Sequence, residues 1–396
     1  MRLQMIPILL AIIINVGIDA LILYNLRKAL KPKWMQSIHL VASFFLLTLI
    51  IVAIALPRRS IDNDGLCTIM WMLFSYFSFY IPKYLALFAQ AIMWLIGFIR
   101  KKALKYRGVV ATSLAIITFL SMWWGALITS KSVEVKRVEM EFANLPVQFD
   151  GYTIAQFSDF HLGSYGSDTS YPALVVDSIN QLKPDLIVFT GDLVNRCTDE
   201  AEPFASTLSR LRAADGVLSI LGNHDYGDYM EWDSPEAREV NNARLCELQR
   251  KMGWTLLNNA DTLITRGENK ICVIGVENWG EPPFPKYGKL SKAHHSLNDS
   301  DFKILLSHNP RHWRGEVIPK SNIDLMLSGH THAMQIELGF FGIRLSPSAW
   351  RYNEWGGLYE QDSQKLYVNI GLGEVAIPMR VGATPEITLI TLKRKK

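Results

Sequence analysis

Residues 217–226, Val-Leu-Ser-Ile-Leu-Gly-Asn-His-Asp-Tyr, decide how this chain is read. A short, mostly apolar run, suited to a buried strand, passes directly into Gly222-Asn223-His224-Asp225. That turn is crowded with side chains that bind metals or move protons. The pattern recurs on both sides. Tyr152–Phe157 ends in Ser158-Asp159-Phe160-His161, and Leu186–Phe189 ends in Thr190-Gly191-Asp192. Ile304–Leu306 ends in Ser307-His308-Asn309-Pro310, and Leu325–Leu327 ends in Ser328-Gly329-His330-Thr331-His332. Helical patterns at about 171–182, 200–213 and 236–252 punctuate the first three strands. This predicts a β-α-β-α-β series with its reactive residues just past the strand ends, where open α/β sheets bind ligands. Residues 254–396 are richer in strand and turn signals, which predicts a second sheet packed on the first.

Five of the nine histidines fall in these clusters: His161, His224, His308, His330 and His332. Asp159, Asp192, Asn223 and Asp225 stand beside them. Imidazole and carboxylate without thiolate is the donor set of a first-row transition-metal site. There are too many ligands for one ion and enough for two, provided one carboxylate bridges. Any one of these residues alone would read as a turn or a core histidine; five such clusters in order do not arise easily by chance. The four cysteines, Cys67, Cys197, Cys246 and Cys272, contain no CxxC spacing. Two could bridge in an oxidising compartment, or all could be free thiols.

The blocks Asp159-x-His161, Gly191-Asp192, Gly222-Asn223-His224-Asp225, His308 and Gly329-His330-Thr331-His332 resemble the calcineurin-like metallophosphoesterase superfamily. The resemblance runs from about residue 150 to the C-terminus. Phe149-Asp150-Gly151 and Pro184-Asp185 are similar to a membrane-associated bacterial branch, some members of which are linked to hydrolysis of UDP-2,3-diacylglucosamine in lipid A assembly. Where many members carry Gly-Gly-Gln after the last block, this chain has Ala333-Met334-Gln335. The resemblance implies a four-layer α/β/β/α sandwich and two divalent ions (Mn, Fe or Zn). It implies that Asp159, His161 and His332 hold the first ion, Asn223, His308 and His330 the second, and that Asp192 bridges. Two such cations can share a water, lower its pKa and aim the hydroxide at phosphorus. His224 is then the expected transition-state stabiliser or acid, with Asp225 orienting it.

Weaker signals surround this set. Asn195, Gln335 and Arg380 are candidate substrate contacts. His312 reads as a surface residue, and His294 and His295 as solvated. Loop 279–300 is either a solvated insertion or a substrate-facing lid. The stretch Trp350–Trp355 either lines the cleft, rests on a membrane or packs a hairpin. The basic tail 393–396 reads as solvated.

Residues 1–133 are a different material. They carry 14 basic and 3 acidic side chains, whereas the remaining residues carry 27 basic and 34 acidic, so the total of +4 describes neither half. An acidic globular half excludes a basic stripe for a polynucleotide, and no nucleic-acid partner is expected. Four apolar stretches, about 4–26, 36–57, 66–99 and 108–129, are long enough for membrane spans. Arg27, Lys28, Lys31 and Lys33 lie in one intervening loop, and Arg100, Lys101, Lys102, Lys105 and Arg107 in another; only Arg58 and Arg59 lie between spans two and three. The positive-inside rule makes loops 27–33 and 100–107 cytoplasmic and predicts four spans in residues 1–130. Residues 131–150 then form a linker and edge strand, and 151–396 an extracytoplasmic phosphoesterase domain on the inner membrane. Asp19, inside the first stretch, is either functional or turned to a neighbouring helix.

The expected function is an integral-membrane two-metal phosphoesterase acting on a phosphodiester or pyrophosphate of a lipid head group or lipid-linked nucleotide. The alternatives are a catalytically inactive metal-binding scaffold or receptor, and a nuclease of the same superfamily. Oligomeric state is not legible.

Overall fold

A computed structural model describes residues 2–29, 33–57, 59–102, 104–282, 285–295 and 299–395, with the side chains of 2–9, 11 and 25–29 outside the description. Lys31 and Arg58 of the predicted loops, and parts of loop 279–300, therefore lie outside the described residues. The chain divides into two compact units, Met1–Ile61 with Thr68–Trp123, and Asp62–Cys67 with Trp124–Lys396.

The first unit is helical. Its helices run Arg2–Ala29, Lys33–Ala55 and Asn63–Ile99, and Arg107–Leu127 follows and enters the second unit at Trp124. Among the described residues, three helices are long and apolar enough to cross a membrane: Lys33–Ala55, Asn63–Ile99 and Arg107–Lys131. The first helix contributes a shorter apolar piece, Ile12–Tyr24. Helix extends through residues 27–29, which the sequence assigned to a loop. Pro82 lies inside an unbroken 37-residue helix. Asp19 is turned inward, where its carboxylate accepts from Lys83 Nζ at 2.7 Å and Tyr80 Oη at 2.6 Å. Asn15 bonds to Tyr76 and Tyr84 nearby.

The second unit contains the two sheets. The strands are β1 (Glu134–Phe142), β2 (Thr153–Phe157), β3 (Leu186–Phe189), β4 (Val217–Ser219), β5 (Trp254–Leu256), β6 (Ala260–Arg266), β7 (Asn269–Gly275), β8 (Lys303–Leu306), β9 (Leu325–Ser328), β10 (Leu338–Phe340), β11 (Ile343–Leu345), β12 (Gly357–Gln361), β13 (Gln364–Val368) and β14 (Glu386–Arg394). One sheet has the order β1-β14-β2-β3-β4-β5 and the other β12-β13-β9-β8-β7-β6; β10 and β11 form a separate hairpin. Parallel pairing joins β2 through β5, and β7, β8, β9 and β13. Strand β1, within the segment 131–150 read as a linker and edge strand, pairs with β14 at the edge of the first sheet.

Three apolar layers explain the stacking. Ile154, Leu186, Val188 and Leu218 of the first sheet meet Val273, Ile304, Leu306 and Leu325 of the second. The outer face of the first sheet is covered by Val175, Val176 and Ile179 of helix Ser170–Leu182 and Leu245 of helix Pro235–Lys251. Trp313 and Val317 cover the outer face of the second. The result is helix, sheet, sheet, helix, the α/β/β/α sandwich that the resemblance implied. Parallel strands buried on both faces read as continuous apolar runs, which is why the sequence located them. The predicted helix 200–213 is different: it breaks into short turns, Thr198–Glu200, Glu202–Phe204 and Ala205–Leu208. Pro203 interrupts the backbone ladder, and Glu200 is drawn into the interior, where its carboxylate accepts from the Asn195 and Arg196 amides at 2.6 and 3.0 Å.

Candidate metal centre

The C-terminal ends of strands from both sheets converge on one place. Asp159 and His161 follow β2, Asp192 follows β3, and Asn223 and His224 follow β4. From the other sheet come His308 after β8 and His330 and His332 after β9. Asp159, His161, Asp192, His330 and His332 hold φ of 52°, 49°, 60°, 76° and 51°. Non-glycine residues seldom occupy this left-handed region, at about 1 kcal/mol or more each, and clusters of such residues mark functional sites. Glycine makes the close approach possible: a Cβ on Gly222 would lie 2.2 Å from Asp192 Oδ1, and one on Gly329 would lie 2.0 Å from Ser158 Oγ.

The candidate ligand atoms converge to within about 3 Å of one another. His161 Nε2 and His332 Nε2 are 3.1 Å apart, and His332 Nε2 is 3.1 Å from Asp159 Oδ1. His308 Nε2 lies 3.1 Å from Asp192 Oδ2, 3.2 Å from Asn223 Oδ1 and 3.2 Å from His330 Nδ1. Ligands ~2.1 Å from one ion sit about 3.0–3.4 Å from each other, so these spacings fit shared cations. Asp159, His161 and His332 form one group able to hold an ion; Asp192, His308 and His330 form another. Asp192 Oδ2 also lies 3.7 Å from His161 Nε2, between the two groups.

Electrostatics prepares the same set. Burial pushes the Asp159 and Asp192 carboxyls up, but the surrounding imidazoles more than offset it and hold both below the usual carboxylate range. Burial, with His308 beside it, pushes His330 down to about 3, and burial holds His161 well below the usual imidazole value. His308 is the exception: burial disfavours its charge, yet Asp192 and Asp159 lift it to about 9.

His224 completes the arrangement. Its Nδ1 donates to the Asn195 carbonyl at 2.7 Å, which turns the other ring edge toward a cleft of about 490 Å³. Asn223, Tyr229, His330, Arg351 and Tyr352 share its walls. The expected His224–Asp225 pair does not form. Asp225 is buried and accepts from the backbone N–H groups of Asp192, Leu193 and Gly222 at 2.9 Å and of Val194 at 3.2 Å. It staples two ligand turns together because four amide donors outcompete one imidazole. Burial and the neighbouring Asp192 raise it to about 7.

The three candidate substrate contacts also need correction. Arg380 is fully buried, its guanidinium bonded to the carbonyls of Ile370, Gly373 and Ala383 and 3.3 Å from His332 Nδ1. It backs a ligand ring and does not face the cleft. Gln335 donates to the Ile377 and Met379 carbonyls and accepts from the Val375 amide, so all its polar atoms serve the loop. Asn195 contributes its carbonyl to His224, while its amide group bonds Ser164 at 3.0 Å. His312 is buried between Ser307 and Glu316 rather than at the surface. His294 is buried against Asp261, whereas His295 is exposed. All four cysteines are free.

Sequence reasoning missed two tyrosines. Tyr229 stacks on His224 with ring centroids 4.1 Å apart and accepts from Asn223 Nδ2 at 3.1 Å, which turns Asn223 Oδ1 toward His308. Tyr352 Oη lies 3.0 Å from His330 Nε2, leaving Nδ1 for the cluster. Tyr352 falls within the aromatic stretch that the sequence singled out; Tyr229 carried no signal beyond following the third block.

Comparison with known proteins agrees with the geometry. Residues 152–334 match the family described as calcineurin-like phosphoesterase. A metallophosphoesterase of Bacillus subtilis, YkuE, is 35% identical over 66% of this chain and 86% of its own length. A zebrafish (Danio rerio) transmembrane protein with metallophosphoesterase domain is 30% identical over 70% of this chain, which spans 62% of that protein. A metallophosphoesterase of Campylobacter jejuni is 27% identical over 80% of this chain and 81% of its own length. With residues 152–334 matching the family and a 35%-identical relative covered over 86% of its length, the chain belongs to the calcineurin-like phosphoesterases and is a metal-dependent phosphoester hydrolase.

Proposed function

We propose that this protein is an inner-membrane phosphoesterase with two divalent ions, and that it hydrolyses a phosphodiester or pyrophosphate carried by a lipid head group or a lipid-linked nucleotide. The observation that carries the chemistry is the convergence of seven donors, Asp159, His161, Asp192, Asn223, His308, His330 and His332, beside a cleft that His224 borders. Asp159, His161 and His332 would hold one ion, and Asn223, His308 and His330 the other, with Asp192 between. Bound ions supply positive charge for the phosphate oxygens and lower the pKa of water.

The chain's own groups do the rest. His224 is anchored through Nδ1, so its Nε2 is free to hold a proton for the leaving oxygen. Tyr229, stacked on the ring, limits its rotation. Arg351 lines the cleft and offers a cation to a phosphate oxygen. The charge asymmetry of the loops supports placing the domain on the extracytoplasmic face, which favours a substrate in the outer leaflet. A full-length preparation in detergent with Mn²⁺ tests the reading against aryl monoesters, aryl diesters, phospholipids and nucleotide-lipids. His224→Ala is expected to lower turnover about 10²–10⁴-fold while metal content is kept. Unchanged turnover in that variant would remove His224 from the chemistry.

A further inference from the structure

The β10–β11 hairpin is the most apolar exposed feature of the second unit. Leu338 pairs with Leu345 and Phe340 with Ile343, which puts four large apolar side chains on one face of two strands. All four are exposed. Phe341, at the turn, is fully exposed. It has φ of 50° and Gly342 has φ of 81°. Two positive-φ residues make the tight turn that ordinarily selects Asn, Asp or Gly. A phenylalanine in the first position carries steric strain, and in return it projects an aromatic ring from the tip. The hairpin's charge is neutralised: Arg344 is bonded by Glu337 at 2.6 and 3.0 Å. Trp350, just beyond, is 92% exposed.

Exposed apolar patches of this kind mark a surface that something covers. The base of the hairpin identifies the occupant. Glu337 N donates to Val381 O at 2.8 Å, and Arg380 N donates to Gly125 O at 3.2 Å. Gly125 lies in the last turn of the apolar helix Arg107–Leu127, in the same compact unit as the hairpin. A Cβ there would lie 2.7 Å from Arg380 O, so only glycine permits this approach. Trp124, in the same unit, is 64% exposed, and an exposed tryptophan at the end of a spanning helix marks the water–hydrocarbon boundary. The hairpin is therefore tied at its base, through Val381 and Arg380, to the end of that helix. Its three steps from Leu338 to Phe341 reach about 10 Å, the depth of the interface. The segments flanking it, Met334 on one side and Arg351-Tyr352 on the other, line the cleft.

We propose that Leu338–Leu345 is a membrane wedge, with Phe341 in the acyl region, that seats the mouth of the cleft against the bilayer, so that a lipid-borne phosphate ester enters from the membrane. The wedge itself is independent of the proposed function; the lipid route deepens it and rests on it.

The test uses the full chain in nanodiscs. Phe341→Cys is labelled with bimane, and Glu268→Cys, on the exposed β6–β7 turn, is the control; labelled wild type measures background from the native cysteines. Bimane at 341 is expected to be quenched by acyl-chain doxyl lipids and shielded from aqueous iodide, with the reverse at 268. Quenching at 341 by iodide alone, or by contact between two labelled copies, overturns the wedge. Phe341→Asp is then compared on two substrates. Hydrolysis of a phosphate ester carried by a lipid of the same nanodisc is expected to fall about tenfold or more, from the lost transfer of one aromatic ring, with hydrolysis of a soluble aryl ester unchanged. Equal loss on both substrates overturns the lipid route. A buried label with no lipid turnover in wild type overturns the proposed function and leaves the wedge standing.

Discussion

The polar cluster among the helices and the polar cluster at the strand ends are built on different principles. In the helical unit, Asp19, Tyr80 and Lys83 match donors to acceptors, as Asn15 does with Tyr76 and Tyr84. Every contact there has a proton to share. In the phosphoesterase unit, several atoms able to bind metal crowd together: His161 Nε2 beside His332 Nε2, and His308 Nε2 beside Asp192 Oδ2, Asn223 Oδ1 and His330 Nδ1. A cluster of the first kind is complete as it stands and holds helices together in a medium without water. In a cluster of the second kind, three or more ligand atoms lie close enough to share one cation. Buried polar residues therefore do not by themselves mark a metal site; the convergence of several ligand atoms does.

Removing Asp192, the proposed bridging carboxylate, should break this contrast most strongly. Asp192→Asn and chelation of the wild type are each expected to lower turnover about 10³-fold or more, because the two proposed ions would act as a unit. Returning metal to the chelated protein at pH 7 should release about one proton per site set. His308, lifted to about 9, is charged at that pH in the metal-free protein and must give up its proton to coordinate. Apparent affinity should therefore rise with pH up to about 9. Calorimetry in two buffers of different ionisation enthalpy measures the release; none would mean that His308 is not a ligand.

The helical cluster should respond in the opposite way. Lys83→Met leaves Asp19 without its cation and is expected to cost about 2.5–3.5 kcal/mol, seen as a lower Tm in detergent, with kcat on a soluble ester unchanged. Asp19→Asn together with Lys83→Met should recover part of that loss. A drop in kcat without a drop in Tm would give this pair a catalytic role.

The smallest effect is a pH slope in stability. Burial raises the Glu374 carboxyl from 4.5 to about 7, against the pull of Arg380. Between those values the folded protein keeps a proton that the unfolded chain has released, so stability falls as pH rises through the window and is level above it. The full span is about 3 kcal/mol or less. Glu374→Gln should flatten that slope and raise Tm most at pH 8; an unchanged slope assigns it to another group.

The five ligand turns were legible because each is local. A buried strand and the turn after it are written in fewer than ten consecutive residues, and metal chemistry admits few residue types. The supports were not legible. Arg380 acts on His332 across 48 positions, and Tyr352 on His330 across 22. Asp225 shows the same limit from the other side. Its neighbour in sequence suggested a pair with His224, but the backbone brought four amides closer.

The sequence alone thus determined the family chemistry, the α/β class, the candidate ligand set and the presence of an apolar, basic first third. Those properties depend on residue type and on spacing within one turn or one strand. Tertiary structure alone decided that Arg380 and Gln335 turn away from the cleft, that Asn195 rather than Asp225 anchors His224, and that the ring of Phe341 stands clear of the protein. Each of these depends on which distant backbone arrives beside a side chain, and burial removes the water that would otherwise satisfy it.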